Sequence, residues 1–233
     1  FSRFKGALRR RLLSGLDRRA FRHLYRFFAL SQTICDRVRA WDSSFNPVAL
    51  YPPAPRRSYR CEGYDDFILV VSRLEPHKRI DLALQTLSHL PQGITMKVVG
   101  DGSAAADLHS LARELGVEKR TEFLGAIGEE EKLSLNARCG MVLFTPLRED
   151  FGFITPEAFA SEKAVVTCLD SGGPAELVVD GRNGIVTRAD PRELARRIDE
   201  LRQDRSKLER LGKKALECSR DSTWESVLSR LLE

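Results

Sequence analysis

The chain has 233 residues, of which 42% are apolar and 30% are charged. This length is enough to bury one full α/β core with residues to spare. No apolar run approaches the roughly 20 residues that cross a bilayer, so the sequence predicts no membrane span. The first residues lack both an initiator Met and the features of a signal peptide, and we expect a fragment of a longer protein. The five cysteines lack metal-binding spacing, which indicates reduced thiols in a cytoplasmic protein.

The charge is unevenly distributed along the chain. Residues 1–60 hold 14 Lys and Arg against 3 Asp and Glu, a net charge of +11, whereas the remainder holds 24 against 30, a net of −6. Residues 1–30 predict one or two helices, because Leu and Phe recur at near-helical spacing with Arg between them. This basic arm either packs its apolar face on a further domain or docks on an anionic membrane. Nucleic-acid binding is not predicted, because interleaved aromatic platforms are absent.

The elements that follow alternate in type. Ser31 is the expected cap of a helix over 32–40, and the Pro-rich residues 42–66 are expected to form a linker. Apolar runs predict strands at 67–71, 95–99, 121–124, 141–144, 164–168 and 184–187. Helical patterns lie at 79–90, 103–115, 129–138, from 156 onwards, 191–203, 206–217 and 222–232. The alternation predicts an α/β fold, a Rossmann-like parallel sheet with helices on both faces, preceded by the basic helical segment.

The loops after the strands are the predicted ligand sites, because such sheets bind ligands beyond the carboxyl ends of their strands. Arg73 and Lys78 follow the first strand of this sheet, where two cations suit a diphosphate. A solvated basic loop is the alternative. Gly100 and Gly102, after the next strand, either let backbone approach a ligand or make a tight turn. No GxGxxG occurs in the first strand–helix turn, so NAD or FAD binding is not predicted.

Two carboxylates flank the segment 150–156, which follows the fourth of these strands. We expect Thr155 to cap the next helix and Pro156 to be its first residue. Glu157 then lies in the first turn, where a negative charge also complements the helix dipole. Glu149 lies in the loop, and is either a solvated group or a ligand for hydroxyl groups. Because one of the two is tied to a helix start, ligand binding suits the pair better than proton transfer.

Five segments together resemble a known family. They are residues 71–81, 99–102, 123–125, 149–152 and 172–176. In this order and spacing they are similar to the carboxyl-terminal, donor-binding domain of the retaining glycosyltransferases of family 4. The resemblance covers about residues 67–190, and more loosely 28–233. The sequences Arg-Leu-Glu-Pro at 73–76 and Glu-Asp-Phe-Gly at 149–152 are most similar to the O-antigen mannosyltransferase branch.

The resemblance implies the carboxyl-terminal half of a GT-B fold, in which two Rossmann-like domains enclose the site. Arg73 and Lys78 would neutralise the diphosphate and Glu149 would contact the sugar, as the catalytic residues. The other donor-binding residues would be Glu157, Gly152, Phe153, Ile154, Gly100, Gly102, Gly125 and Ala126. Of these, Glu157 would hold the ribose, and the base would lie near Gly125 and Ala126. The donor would be a nucleoside diphosphate sugar, with no metal and no other cofactor, and no Asp-x-Asp occurs here.

The resemblance also divides the chain. Residues 1–41 would be the end of an amino-terminal acceptor domain, 42–66 the linker, 67–221 the donor domain and 222–233 a helix that crosses back. With the acceptor domain missing, we expect this chain alone to be inactive. The leading hypothesis is the donor half of an enzyme that transfers sugar to a glycan or lipid-linked acceptor, cytoplasmic or peripheral at the inner membrane face.

Two other functions compete with this hypothesis. A non-catalytic nucleotide-sugar-binding subunit would need a partner chain for activity. An epimerase of nucleotide sugars would need acid/base carboxylates and His in the loops, where only His77 occurs, and is therefore disfavoured.

Overall fold

The computed structural model describes residues 13–17, 19, 20, 24 and 26–233. Within the basic arm, residues 13–17, 19 and 20 are helical. The prediction of helices up to residue 30 is wrong for residues 24 and 26–30, which are not helical, because Phe28–Ala29 pair with Val48–Ala49 as a strand. Residues 1–12, 18, 21–23 and 25, and with them most of the surface proposed for membrane docking, lie outside the described residues. In the described part, every helix is too short or too polar to cross a bilayer.

From residue 26 onward, the strands and helices are defined as follows. The strands are β1 (Phe28–Ala29), β2 (Val48–Ala49), β3 (Phe67–Val71), β4 (Thr95–Val99), β5 (Thr121–Gly125), β6 (Met141–Leu143), β7 (Val165–Cys168) and β8 (Gly184–Thr187). The α-helices are α1 (Gln32–Trp41), α2 (Ile80–His89), α3 (Ala105–Glu114), α4 (Glu129–Arg138), α5 (Ile154–Ala160), α6 (Gly173–Leu177), α7 (Pro191–Gln203), α8 (Arg205–Asp221) and α9 (Trp224–Leu232). Short 3-10 helices cover Pro76–Lys78 and Glu118–Arg120.

Strands β3 to β8 form one sheet in the order β5-β4-β3-β6-β7-β8, with every neighbouring pair parallel. The predicted Rossmann-like parallel sheet is therefore confirmed. From β3 the chain moves outward through β4 to β5, and then returns to place β6 on the other side of β3. Loops that leave β3 and β6 in opposite directions open a crevice at the carboxyl edge, which is where sheets of this kind bind ligands.

Apolar side chains pack on both faces of the sheet. In β3, Ile68 and Val70 join the core under α2, α3 and α7, whereas Phe67 and Leu69 join the core under α4 and α5. Helix α8 contributes to both cores. A strand buried on two sides needs apolar residues at every position, which explains the unbroken run 67–71.

Two helix starts show where local signals succeed and fail. Ser31 caps α1 as predicted, because its Oγ accepts a hydrogen bond from the Ile34 N–H (3.3 Å). The prediction that Thr155 caps α5 with Pro156 first is wrong, since α5 begins at Ile154. Gly152, at φ 76°, turns the chain into the helix earlier, and its carbonyl accepts from the Thr155 N–H (3.0 Å). The Thr155 hydroxyl is buried, and the structure shows no hydrogen-bond partner for it.

A second, two-stranded sheet precedes the main one. Strand β1 pairs in parallel with β2, which lies within the expected linker. Strands of two residues carry too little periodicity to be read from a sequence. The domain boundaries at 41, 66 and 221 stay predictions.

Candidate functional site

The crevice between β3 and β6 brings Lys78 and Glu149 together, although they are 71 positions apart in the chain. The Lys78 ammonium forms a salt bridge with the Glu149 carboxylate. Their side chains are only 9% and 18% exposed, so the pair is largely shielded from water. The two loops also meet through their backbones, because the Leu147 N–H donates to the His77 carbonyl (2.8 Å). The structure thus joins two of the three residues that the resemblance names as catalytic.

The loop after β7 holds Glu149 in place. The Glu149 N–H donates to the Ser171 carbonyl, and the Gly173 N–H donates to the Glu149 carbonyl (both 2.9 Å). This approach needs Gly172, where φ is 75° and a Cβ would lie 2.5 Å from the Glu149 carbonyl oxygen. The backbone under the carboxylate is therefore fixed from both sides, which orients the side chain toward Lys78.

Gly100 and Gly102 support the loop that carries Arg73. A Cβ on Gly100 would lie 1.9 Å from the Ser72 carbonyl oxygen, and one on Gly102 would lie 2.5 Å from that of Leu74. Both glycines are therefore required for close packing of two loops. Arg73 itself is exposed on this loop. Donor contact by Arg73, Gly100 and Gly102 stays a prediction.

Glu157 lies in α5 and pairs with a different lysine. Its side chain is 9% exposed, and its carboxylate lies 3.1 Å from the Lys132 ammonium of α4. Burial raises the pKa of Glu157 above its ordinary value, and the ammonium of Lys132 partly opposes that rise. Lys132 also pairs with Glu129 (3.2 Å). No motif in the sequence pointed to Lys132, because only the packing of α4 beside α5 brings it to Glu157.

The remaining predicted donor-binding residues lie along the same edge of the sheet. Gly152, Phe153 and Ile154 connect the two carboxylates, and Phe153 is exposed with its ring edge-on to Phe151 (5.1 Å between centroids). These residues lead into the start of α5, and the first N–H groups of a helix have no partner within the helix, which is the reason for expecting them to bind a diphosphate. Gly125 and Ala126 lie at the end of β5, which is two strands from β3 in the sheet. The Gly125 carbonyl accepts a hydrogen bond from the Gly100 N–H (2.7 Å). Contact of Gly125 and Ala126 with a base stays a prediction.

Sequence reasoning missed Arg79, which ties three loops together. Its guanidinium donates to the Thr145 and Pro146 carbonyls (2.7 and 2.9 Å) and to both carboxylate oxygens of Asp170 (2.8 and 2.7 Å). These hydrogen bonds hold the pKa of Asp170 below its ordinary value. The backbone at Arg79 is left-handed, with φ 53°, a conformation that no simple pattern predicts for Arg. Arg79 therefore positions the loop that carries Lys78.

Glu176, beside the site, binds the start of α1. Its carboxylate accepts hydrogen bonds from the N–H groups of Gln32 and Thr33, from the Thr33 hydroxyl and from the Tyr51 hydroxyl. Burial, and then the hydrogen bond to Glu176, raises the pKa of Tyr51 to about 12. Glu176 lies in the predicted segment 172–176, where no role follows from its sequence position, and in the structure it binds the start of α1 and Tyr51.

Asp150, next to Glu149, makes a second contact with the same helix. Its carboxylate pairs with Arg37, and its carbonyl accepts from the Ser31 hydroxyl. The loop of the site and the amino-terminal end of α1 therefore lie in direct contact. Among the residues that the structure describes, no three His, Cys, Asp or Glu are grouped to hold a metal ion.

Comparison with protein families finds one match over most of the chain. The model described as "Glycosyl transferases group 1" matches residues 55–217. An uncharacterized glycosyltransferase of Methanocaldococcus jannaschii is 27% identical over 182 residues, covering 78% of this chain and 51% of that protein. A D-inositol 3-phosphate glycosyltransferase of Corynebacterium diphtheriae is 28% identical, covering 84% and 52%. The chain thus spans about half the length of these relatives.

Solved structures share the fold. Anabaena HepE in complex with UDP and glucose superposes with a TM-score of 0.78 at 22% identity, covering 91% of this chain and 62% of that one. A variant of S. aureus TarM, in complex with fondaparinux, alpha-GlcNAc-glycerol and UDP, gives 0.80 at 20% identity, covering 88% and 42%. The likeness agrees with the expected GT-B class of fold. Because the family model matches more than half of the residues of this chain, the chain belongs to the group 1 glycosyl transferases.

Proposed function

We propose that this chain binds a nucleoside diphosphate sugar in the crevice between β3 and β6. It would supply the donor-binding half of a retaining glycosyltransferase that acts on a glycan or lipid-linked acceptor. The observation that carries the proposal is the shielded pair of Lys78 and Glu149 at the switch point of the sheet. Solved proteins of the same fold have been crystallised with UDP and with UDP-glucose, which supports a nucleotide sugar as the ligand class.

The two members of the pair have complementary tasks in this proposal. The Lys78 ammonium is the cation for the diphosphate, helped by the exposed Arg73 on the same loop. The Glu149 carboxylate has only acceptor oxygens, which suit the hydroxyl groups of a sugar. Because both side chains are shielded from water, their electrostatic interactions with a ligand are stronger than they would be on an open surface.

The proposed chemistry depends on charge that develops in the transition state. As the bond from the anomeric carbon to the phosphate oxygen breaks, the diphosphate gains negative charge, which Lys78 and Arg73 stabilise. The acceptor oxygen forms its bond on the same face, and its proton passes to the departing phosphate, so the anomeric configuration is kept. Removal of one preorganised donor of this kind typically costs about 10²–10³ in rate. Cationic side chains do the neutralising, and the proposal includes no metal.

Donor binding tests the first half of the proposal. Calorimetry and thermal unfolding with UDP-, GDP-, ADP- and dTDP-sugars are expected to reveal one donor that raises the melting temperature of this chain. Lys78→Ala is expected to weaken that binding by about ten-fold or more, since it removes a shielded charge-assisted contact. Lys97→Ala is the matched control, because Lys97 pairs with Glu122 on the exposed outer part of the sheet. Failure of every donor to bind, or unchanged binding in Lys78→Ala, would refute the assignment.

Turnover distinguishes this proposal from the alternative of a non-catalytic nucleotide-sugar-binding subunit. Both predict donor binding, but only the enzyme transfers sugar without a partner chain when the full-length protein is assayed. In that protein Lys78→Ala is expected to lower kcat by about 10²–10³, and NMR of the product reports whether the anomeric configuration is kept. Docking of the basic arm stays a separate proposal, tested by sedimentation with anionic and neutral vesicles.

A further inference from the structure

The pair of Lys78 and Glu149 differs from the other charged contacts beside the crevice in how few hydrogen bonds hold it. Within residues 26–233, the Lys78 ammonium donates only to Glu149, and the Glu149 carboxylate accepts only from Lys78. Arg79, by comparison, donates to four acceptor atoms, and the Lys132 ammonium is shared by two carboxylates. Both members of the pair therefore keep hydrogen-bonding capacity that a ligand can use.

The backbone holds both members of this pair in the crevice. The Lys78 N–H donates to the Glu75 carbonyl (2.9 Å), and the Lys78 side chain is only 9% exposed. The backbone of Glu149 is hydrogen-bonded on both sides to the loop after β7, and its side chain is 18% exposed. A ligand that binds Lys78 in place of Glu149 therefore leaves the carboxylate in a place from which water is largely excluded.

A bare nucleoside diphosphate and a nucleoside diphosphate sugar have different effects on this pair. The bare diphosphate takes Lys78 from Glu149 and leaves a shielded carboxylate unpaired beside a ligand that is itself negative. The intact donor also takes Lys78, but the hydroxyl groups of its sugar can donate to the Glu149 oxygens and so replace the lost partner. An unpaired charge that one ligand leaves and the other does not discriminates between the two ligands.

We propose, on the basis of the proposed function, that Glu149 competes with the diphosphate for Lys78 and thereby makes the site prefer the nucleotide sugar to the bare nucleoside diphosphate. While the donor is intact, its sugar occupies the carboxylate and its diphosphate occupies the ammonium. After transfer the sugar has left, and the Glu149 carboxylate is again available to Lys78. Its return to the ammonium weakens the binding of the nucleoside diphosphate that remains, and so speeds release of this product.

Binding of bare diphosphates measures this competition directly. Calorimetry with UDP, GDP, ADP and dTDP is carried out on the wild-type chain, on Glu149→Gln and on Asp150→Asn. Glu149→Gln removes the competing charge but keeps the shape of the side chain, and is expected to bind a bare diphosphate about ten-fold more tightly than the wild type. Asp150→Asn is the matched control, because it removes an equal charge from the next residue, whose side chain is 60% exposed and pairs with Arg37. Its affinity is expected to change by about two-fold or less, and binding by Glu149→Gln no tighter than that by the wild type would overturn the proposal.

A double variant shows whether the gain in affinity passes through the lysine. In Lys78→Ala/Glu149→Gln the gain relative to Lys78→Ala is expected to vanish, and a ten-fold gain that persists there would contradict the competition. Circular dichroism checks that each variant is folded, and Glu149→Ala, with the same expected gain, replaces Glu149→Gln if the latter does not fold.

The corresponding UDP-, GDP-, ADP- and dTDP-sugars, measured on the same variants, separate the competition from donor binding itself. Glu149→Gln is expected to reduce the preference of the site for a nucleotide sugar over its bare diphosphate by about ten-fold or more. If no nucleotide sugar and no diphosphate binds to the wild type or to Glu149→Gln, the donor site as a whole is refuted. If a nucleotide sugar binds to the wild type but Glu149→Gln leaves that preference unchanged, only the competition is refuted.

Discussion

Glu176 offers the sharpest test of how the site is joined to the segment before it. Its carboxylate accepts from four donors, two of them the N–H groups of Gln32 and Thr33 at the start of α1. Glu176→Ala leaves all four without this acceptor, and it also removes a negative charge from the positive end of the helix. The Ser31 side chain still caps α1, so the helix itself is expected to stay folded. Its attachment to α6 is expected to weaken.

The size of the effect follows from these contacts. A hydrogen bond to a charged group contributes about 1.5–3 kcal/mol, but four bonds that share one half-buried carboxylate are far from additive, and water replaces part of them. With the loss of a charge at a helix start included, we expect the free energy of unfolding to fall by roughly 2–3 kcal/mol. In a chain of this size each kcal/mol shifts Tm by about 2–4 °C, so Tm should fall by roughly 5–10 °C.

Two measurements check this result. Thermal and denaturant unfolding report the global loss, and hydrogen exchange of the Gln32 and Thr33 amides reports the local release of α1. Glu209→Ala is the matched control, because Glu209 pairs with Arg205 on the surface of α8 and such pairs contribute about 0.3–0.5 kcal/mol. Unchanged protection of the two amides, with a Tm equal to that of the control, would refute the reasoning.

Two further predictions concern the carboxylates of the site. Gly172→Ala places a Cβ 2.5 Å from the Glu149 carbonyl oxygen, whereas Gly181→Ala, the control, meets open space at nearly the same φ. Denaturant titration is expected to show that Gly172→Ala lowers the free energy of unfolding by about 1–3 kcal/mol more than the control does. Equal losses in the two variants would contradict the packing. In Lys132→Met, the pKa of Glu157 is expected to rise further, because the ammonium that lowers it is gone. A raised pKa means that the folded protein binds the proton more tightly, so stability falls as pH rises from the ordinary value of 4.5 through the folded pKa, and this fall should widen in Lys132→Met. Carbon-13 NMR titration of Glu157 and unfolding across that range are the checks, and an unchanged pKa would rule out the role of Lys132.

The strands of the main sheet were readable from the sequence because their signals are local. The bounds predicted at 67–71, 95–99 and 184–187 agree with β3, β4 and β8. Each is rich in β-branched residues, and a polar or Gly residue follows it. Helix α5 was placed two residues late, because the left-handed turn at Gly152 overrode the usual preferences of Thr155 and Pro156.

The members of the site were only partly readable. Lys78 and Glu149 could be named because they follow apolar strands at the positions of a recognisable pattern. Arg79 and Glu176 lie within segments of that pattern but were given no role, and Lys132 lies in none of them, since the roles of all three depend on partners in other elements. A side chain of this kind is identified by what packs beside it, and the residue type alone does not show that.

The sequence by itself determined the class of fold and the strand ends on which polar side chains accumulate, because periodicity and turn chemistry act over a few residues. Only the tertiary structure decided that β6 lies beside β3, and so that the loops of Lys78 and Glu149 meet. The order of strands in a sheet is a long-range choice, set by burying both faces at once and by the handedness of the crossovers. No short stretch of the chain encodes that choice alone.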